Sequence, residues 1–394
     1  MGCSFEEVIM PSSPGMIRSR SASWQRAVRP ALILILLAAP GWLPAGAQKA
    51  DARGLALGTP ALASAGPLAF SDDGVLFVGD ALGAAVFAIA VVEPAAVAAE
   101  PPRIEGFDRQ LAGLLGTTAS EVMVHDLAVH PRSHAVYLSA ARGRGADAQP
   151  VLVRVVGNDI TVLDLVAVRF ARASLAKAPK PDAKDRRGRS LRTLAITDLK
   201  YRDGTLYIAG LSNEEFSSSL RTLRFPFKAE GTFSTVEIYH GAHGRYETHA
   251  PIRTLLPIDL DGTPQLLASY TCTPLVTLPL ESLRDGQHVK GKTVAELGYG
   301  NTPLDMLRVE KDGKTFVYMV NNRRGGMKID PADIVAAGAI TAPVEGMLAG
   351  VPFIPMPFAG ILRMDDFDDQ TIVYLRRDLE GGGLSLRGQP KRFL

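Results

Sequence analysis

Ile196–Phe216 reads ITDLKYRDGTLYIAGLSNEEF. An apolar segment begins at Asp198 (DLKY) and meets a tight-turn pair, Asp203-Gly204. A second apolar segment follows (TLYIAGL), then a polar tip, Ser212-Asn213-Glu214-Glu215. Two short β-prone runs separated by Asp-Gly read as a hairpin, because both residues tolerate the positive φ that a two-residue turn needs.

Variants of this hairpin recur along the chain. PLAF, Ser71–Gly74, VLFVGD and AVFAIAVV follow Pro67. DLAV, the turn HPRSH (130–134), AVYLSAA, VLVRVV and ITVLDLVAV follow Asp126. The opening stretch continues into LRTLRFPF and TVEIYH. Three further units begin with IRTLLPIDLDG, LDMLRVEKDG and AGILRMDDFDD. Their first strands are anchored at Leu68, Leu127, Leu199, Leu255, Leu307 and Ile361, about 50–60 residues apart except for the longer step from Leu127 to Leu199. Recurrent four-strand units predict an all-β chain, a six-bladed β-propeller, with a degenerate seventh blade as the alternative. Short surface helices are expected at Phe107–Leu115, near Glu281–Leu283 and after Pro331. Ring closure is expected between Leu55–Leu57 and the last blade. Lys177–Ser190 (KAPKPDAKDRRGRS), within an insertion at 174–192, reads as a solvated loop that does not pack.

With 46% hydrophobic and 21% charged residues and a formal net charge of +2, the chain has globular composition. It lacks the basic excess of a dedicated nucleic-acid binder. Arg18, Arg20, Arg26 and Arg29 precede the apolar run Ala31–Ala39, and Ala45-Gly46-Ala47 fits a small-x-small cleavage site. This predicts export to the periplasm or medium after cleavage near Ala47, leaving one domain over 48–394 with no transmembrane segment. An uncleaved anchor is the alternative, and Met16 is a second candidate start. Cys3 is lost with the leader, so Cys272 stands alone and no internal disulfide forms.

The turns Asp72-Asp73-Gly74, Asp203-Gly204, Asp261-Gly262 and Asp312-Gly313, each between apolar strands, carry a resemblance. On them the chain resembles the NHL, YVTN and gluconolactonase-like propellers over most of its mature length. The resemblance implies the propeller fold. Gluconolactonase-like enzymes set a carboxylate, asparagines and an aspartate around a central metal. Their first-blade glutamate has no match here, where Gly66-Pro67 stands. Function is not implied by such a fold.

If the Asp-Gly turns lie on one side of the disc, the opposite side collects the first-strand starts and the second-to-third loops. We call these the turn face and the loop face. Asp126, Asp198, Asn301 and Asp305 would then ring the loop-face channel mouth, with Arg142, Arg144, Asn213, Glu214, Glu215, Asn321, Asn322, Arg323, Arg324, Arg376 and Arg377 in nearby loops. Three groupings follow. Asp198, Glu214 and Asp305, with the asparagines, offer hard oxygen ligands for Ca²⁺ or another divalent cation, or else cap strands and turns. His240, His243, His249 and Cys272 offer nitrogen and sulfur for Zn or Cu, or else are loop histidines beside an inert thiol. The arginines suit an acidic ligand, or pair with Glu214, Glu215, Asp126 and Asp378. No nucleophile elbow, HExxH or P-loop is present, so no catalytic residue is assigned. The chain therefore reads as a propeller binding a small-molecule or protein partner at this face, with or without a metal. The alternatives are a metal-dependent hydrolase or lactonase-like enzyme and a structural docking platform.

Overall fold

The computed structural model describes residues 50–93, 98, 100–228 and 231–394. The expected leader, the expected cleavage near Ala47 and Cys3 lie outside them. Among the described residues no helix is long and apolar enough to cross a membrane.

The chain is mainly antiparallel β, in meanders whose first strands are Leu68–Phe70, Val122–Val129, Asp198–Arg202, Thr254–Leu260, Pro303–Lys311 and Ile361–Asp366. We number the sheets by these strands. The third and fourth sheets are joined edge to edge where Ser234–Ile238 runs parallel to Gln287–Gly291. At three hairpins both turn residues have positive φ: Asp203 51° and Gly204 77°, Asp261 48° and Gly262 71°, Asp312 52° and Gly313 71°. The flanking pairs are Arg202–Thr205, Leu260–Thr263 and Lys311–Lys314, as two-residue loops require. The Asp72-Asp73-Gly74 turn differs. It is a four-residue loop closed by Ser71, whose Oγ accepts the Val75 N–H at 2.9 Å.

The six first strands touch one another in a closed cycle, giving a propeller-like arrangement. Their order departs from the chain order: the first sheet lies between the second and the third, while the second adjoins the sixth. The apolar clusters follow the same order. Phe70 of the first sheet meets Tyr137 of the second, and Phe77 stacks on Tyr201 of the third. Val153 and Leu138 of the second sheet pack with Val373 and Leu386 of the sixth, capped by Phe107 and Leu111 of the helix Phe107–Leu115. Each fully buried Leu, Ile or Phe contributes about 1.5–3 kcal/mol relative to exposure.

Two long-range exchanges complete the sheets. Val168–Ser174 leaves the second unit and pairs with Ala85–Ala90, becoming an outer strand of the first sheet. Ala56–Gly58 then adds to Val168–Ser174. The expected closure through Leu55–Leu57 is therefore corrected: Arg103–Ile104 pairs with Leu384–Pro390 and completes the sixth sheet instead. The long step from Leu127 to Leu199 contains this returning strand as well as the basic loop. The start of the insertion packs, while most of 180–190 is exposed. Leu175 and Pro179 are buried, and Ala178 touches the core between the first and third sheets.

Close sheet packing makes one glycine obligatory. A Cβ on Gly210 would lie 2.1 Å from the Ala195 carbonyl oxygen, which is backbone and cannot swing away. Gly210→Ala is expected to lower stability by about 1–3 kcal/mol through overpacking, although alanine ordinarily outperforms glycine inside a strand. Thermal denaturation checks this, and an unchanged or raised Tm would contradict the packing.

Candidate metal centre and the closed channel

The first-strand aspartates do converge on the central channel, and there they tie sheets together. Asp126 Oδ2 accepts the Leu68 N–H at 2.7 Å, and Asp198 Oδ2 accepts that of Leu255 at 2.8 Å. Asp305 Oδ2 accepts Met364 N–H at 2.9 Å, and Asp365 Oδ2 accepts Val129 N–H at 2.7 Å. Each bond joins one inner strand to its neighbour. Asp198, Asp305 and Asp365 also accept the N–H of their own next residue through Oδ1. Capping, the second reading of these residues, is what the geometry displays.

Two cations neutralise this ring. Lys200 Nζ lies 3.5 Å from Asp305 Oδ1. Arg363 Nε lies 3.2 Å from Asp126 Oδ1 and donates to the His125 carbonyl, while its Nη1 donates to Leu304 and Leu362 carbonyls. Burial pushes the carboxyls of Asp126 and Asp365 up to about 7 and raises that of Asp198, against the lowering pull of Lys200 and Arg363. Burial alone would lower the Lys200 ammonium, but Asp305, Asp198, Asp126 and Asp365 raise it well above its usual range.

The loop-face mouth is thus plugged. Arg363, Arg253, Asp126, Asp198 and Asp305 leave a cavity of about 10 Å³ there, room for about one water. An organic ligand at this mouth is corrected on that ground. The channel widens at the other end, toward the turn face, into a chamber of about 700 Å³ lined by Lys200, Arg202, Arg308, Asp365, Asp366 and Lys391.

The oxygen-ligand grouping is also corrected. Glu214 sits with Asn213 and Glu215 on an exposed tip, and pairs with Lys177 at 3.3 Å. Among the described residues Asp198, Glu214 and Asp305 do not bring their oxygens together. The alternative reading of the arginines, a network with these carboxylates, is not formed among the described residues. Asp126 is taken by Arg363, Glu214 by Lys177, and Asp378 accepts from Ser385. Arg144 and Arg377 donate to backbone carbonyls, of Ser120 and Gly382. Arg142 is exposed, and Nε of the partly buried Arg376 is buried without a partner. Asn322 is exposed and accepts the Thr302 N–H.

The nitrogen–sulfur grouping has the tighter geometry. One donor atom each from His240, His243 and Cys272 lie within 4.8 Å of one another. His240 ends the strand Thr232–His240. A 3₁₀ turn, Gly241–His243, and Gly244 at φ 62° then fold the short strand Arg245–Glu247 back along it, pairing Ile238 with Glu247. The two imidazoles lie 3.9 Å apart, centroid to centroid. His240 is buried and His243 is 40% exposed, so the pair opens to solvent on one side.

Glu247 organises both rings. His240 Nδ1 donates to Oε2 at 2.9 Å, and His243 Nδ1 donates to Oε1 at 2.6 Å. An ionised carboxylate only accepts, so each ring carries a proton on Nδ1, and Nε2 is the nitrogen left to ligate an ion. Burial alone would raise the Glu247 carboxyl, but the two histidine hydrogen bonds outweigh it and hold it at about 2. Glu296 lies on the buried side. Its Oε1 accepts the Gly241 N–H at 2.6 Å, and its Oε2 is 3.7 Å from His240 Nε2. Neither of those last two atoms has a hydrogen-bond partner. Burial raises the Glu296 carboxyl, partly offset by His240 and backbone N–H groups.

Cys272 is presented on a strained turn. Cys272 and Thr273 have φ of 69° and 56°, unusual for two consecutive non-glycine residues and more so for a β-branched one. The turn is over-determined. Cys272 N–H donates to the Asn301 carbonyl at 2.7 Å, and Thr273 Oγ1 donates to the Gly298 carbonyl at 2.9 Å. His249 stands outside the group, 3.4 Å from Ser217 Oγ. Tetrahedral Zn sites place N and S donors about 3.3–3.7 Å apart, so an ion would draw the widest of these separations inward by at most about 1.5 Å. Glu247 and Glu296, which organise the site, were not among the residues expected from sequence. The signal for Glu247 was its place four residues after His243, across a glycine turn.

No family model matches the chain, and no curated protein sequence matches it. Among solved structures it is similar to a PQQ-bound aldose sugar dehydrogenase from Streptomyces coelicolor (13% identity, TM-score 0.35, 87% of this chain and 99% of that one). It is also similar to a glucose dehydrogenase (12%, 0.33, 84% and 98%) and to a putative gluconolactonase (11%, 0.30, 88% and 94%). At such scores the fold rests on the strand pairing itself.

Proposed function

We propose that this chain is an exported six-bladed β-propeller that holds one transition-metal ion, Zn²⁺ or copper, through His240, His243 and Cys272. Ligand binding then takes place at that ion, toward the outer edge of the loop face, and not at the plugged channel mouth. The observation that carries the reading is the convergence of one donor atom each from His240, His243 and Cys272 within 4.8 Å, with Glu247 holding Nδ1 of both imidazoles. A carboxylate behind metal-ligating histidines raises their basicity and fixes their orientation. Three protein donors leave a fourth position for water or ligand, the pattern of catalytic rather than structural zinc. That open position also favours the metal-dependent hydrolase reading, with Glu296 as the nearby acid.

Elemental analysis of the purified protein after dialysis tests the site. About one Zn or Cu per chain is expected in the wild type. Cys272→Ser and His243→Ala are each expected to lower affinity at least tenfold while retaining the wild-type circular dichroism. A wild type that takes up no metal, or variants that keep it, would overturn the reading.

A further inference from the structure

Beside the proposed metal centre lies a pair of guanidinium groups without carboxylate partners among the described residues. Arg323 and Arg324 sit in the loop after the strand Lys314–Asn321 of the fifth sheet, Arg323 exposed and Arg324 half-buried. The acids expected for them are taken elsewhere, Glu214 by Lys177 and Asp126 by Arg363. What Arg324 Nη2 does meet is the Met347 sulfur, at 3.7 Å.

One short segment, Gly298–Asn301, links these arginines to Cys272. Gly300 N–H points to the Cys272 sulfur at 3.4 Å, and a Cβ on the same glycine would lie 3.8 Å from Arg323 Nη1. A Cβ on Gly298 would lie 2.9 Å from Arg324 Nε. Asn301 is buried and faces both ways. Its carbonyl takes the Cys272 N–H at 2.7 Å, its Oδ1 takes the Arg323 N–H at 3.2 Å, and its Nδ2 is buried with no partner. Tyr299, 59% exposed, and Met347, 50% exposed, add apolar surface to the same corner.

Each part selects a feature of the ligand. Adjacent arginines with no internal acid attract an anion and suit the planar fork of a carboxylate. Tyr299 and Met347 suit an apolar body. An open metal position takes one further donor atom. We infer that the ligand of this centre is a small organic carboxylate with an apolar or aromatic body, its anionic end held by Arg323 and Arg324. This rests on the metal reading above.

The test uses the full-length mature protein loaded with Co²⁺, which reports on the site by absorbance, with benzoate as probe and benzyl alcohol as its neutral counterpart. Benzoate is expected to change the Co²⁺ spectrum saturably, and benzyl alcohol to do so at least tenfold more weakly. Arg323→Ala/Arg324→Ala is expected to weaken benzoate at least tenfold with Co²⁺ loading unchanged. The single Arg323→Ala, at an exposed position, keeps the question answerable if the double variant does not fold, and about threefold weakening is expected. Equal response to the two probes, or benzoate affinity indifferent to both variants, would overturn the inference while leaving the metal site standing. Should no Co²⁺ bind, the metal reading fails separately. Calorimetric titration of benzoate into metal-free wild type and Arg323→Ala then decides the carboxylate subsite, arginine-dependent binding supporting it and arginine-independent or absent binding overturning it.

Discussion

Lys200→Met is expected to cost about 3–5 kcal/mol of folding stability near pH 8, the usual loss when one partner of a buried charge group is removed, and markedly less at pH 5. Lys200 stands among Asp126, Asp198, Asp305 and Asp365, and its side chain is only 24% exposed. Methionine keeps much of the stem's volume and removes the charge, so the four carboxylates face one another with Arg363 alone to offset them. The pH dependence follows from the direction of their shifts. Folding raises the carboxyls of Asp126 and Asp365 from their ordinary acidic value to about 7, so the folded state binds protons that the unfolded state releases. The stability these groups contribute is fully present below about pH 4 and is lost as pH rises through about 7. Without Lys200 the carboxyls hold their protons to still higher pH, and the deficit is largest where they must ionise. Urea denaturation of both proteins at pH 5, 6.5 and 8 measures this. A deficit of equal size at all three values would show that Lys200 acts through packing alone.

Glu247→Gln is expected to weaken metal binding by about 10–100-fold, the usual cost of losing a carboxylate behind ligating histidines, while the propeller stays folded. Glutamine keeps one acceptor oxygen where glutamate has two, so one imidazole loses its partner and its fixed tautomer. It also removes the negative charge that raises imidazole basicity. Competition between the protein and a chelator of known affinity, read at fixed pH, gives the change directly. The same residue predicts an acid limb. Because folding depresses the Glu247 carboxyl to about 2, its contribution to stability is present above the ordinary glutamate range. That contribution is lost as pH falls through about 2. The variant should lack this part of the wild-type acid unfolding curve. Unchanged metal affinity would reduce Glu247 to a surface hydrogen-bonding residue.

The residues of the metal centre were legible in unequal measure. His240, His243 and Cys272 drew notice because imidazole and thiol are uncommon side chains with few other chemical uses. Glu247 and Glu296 did not, since glutamate is common and only its partners distinguish it. The channel network was half legible. Asp198 and Lys200 alternate on one strand, so both must face the same side. Asp365, within the run DDFDD, was not singled out, although it repeats the bridging role of Asp305 one sheet further on.

What the sequence by itself determined was the strand-and-turn alphabet. Ile196–Phe216 folds as read because Asp-Gly chemistry is local: positive φ at two adjacent residues closes a hairpin wherever alternating apolar strands flank it. Which strand completes which sheet was decided only by the tertiary structure. Val168–Ser174 looks like any fourth strand, and Arg103–Ile104 is only two residues long, yet one returns to the first sheet and the other closes the sixth. Exposed strand edges accept any extended partner, so the choice falls to the burial of side chains far apart in sequence. The same holds for function. Arg363 plugs the mouth that strand order alone would leave open, and a turn of His240–Glu247 meets Cys272 only because the third and fourth sheets lie side by side.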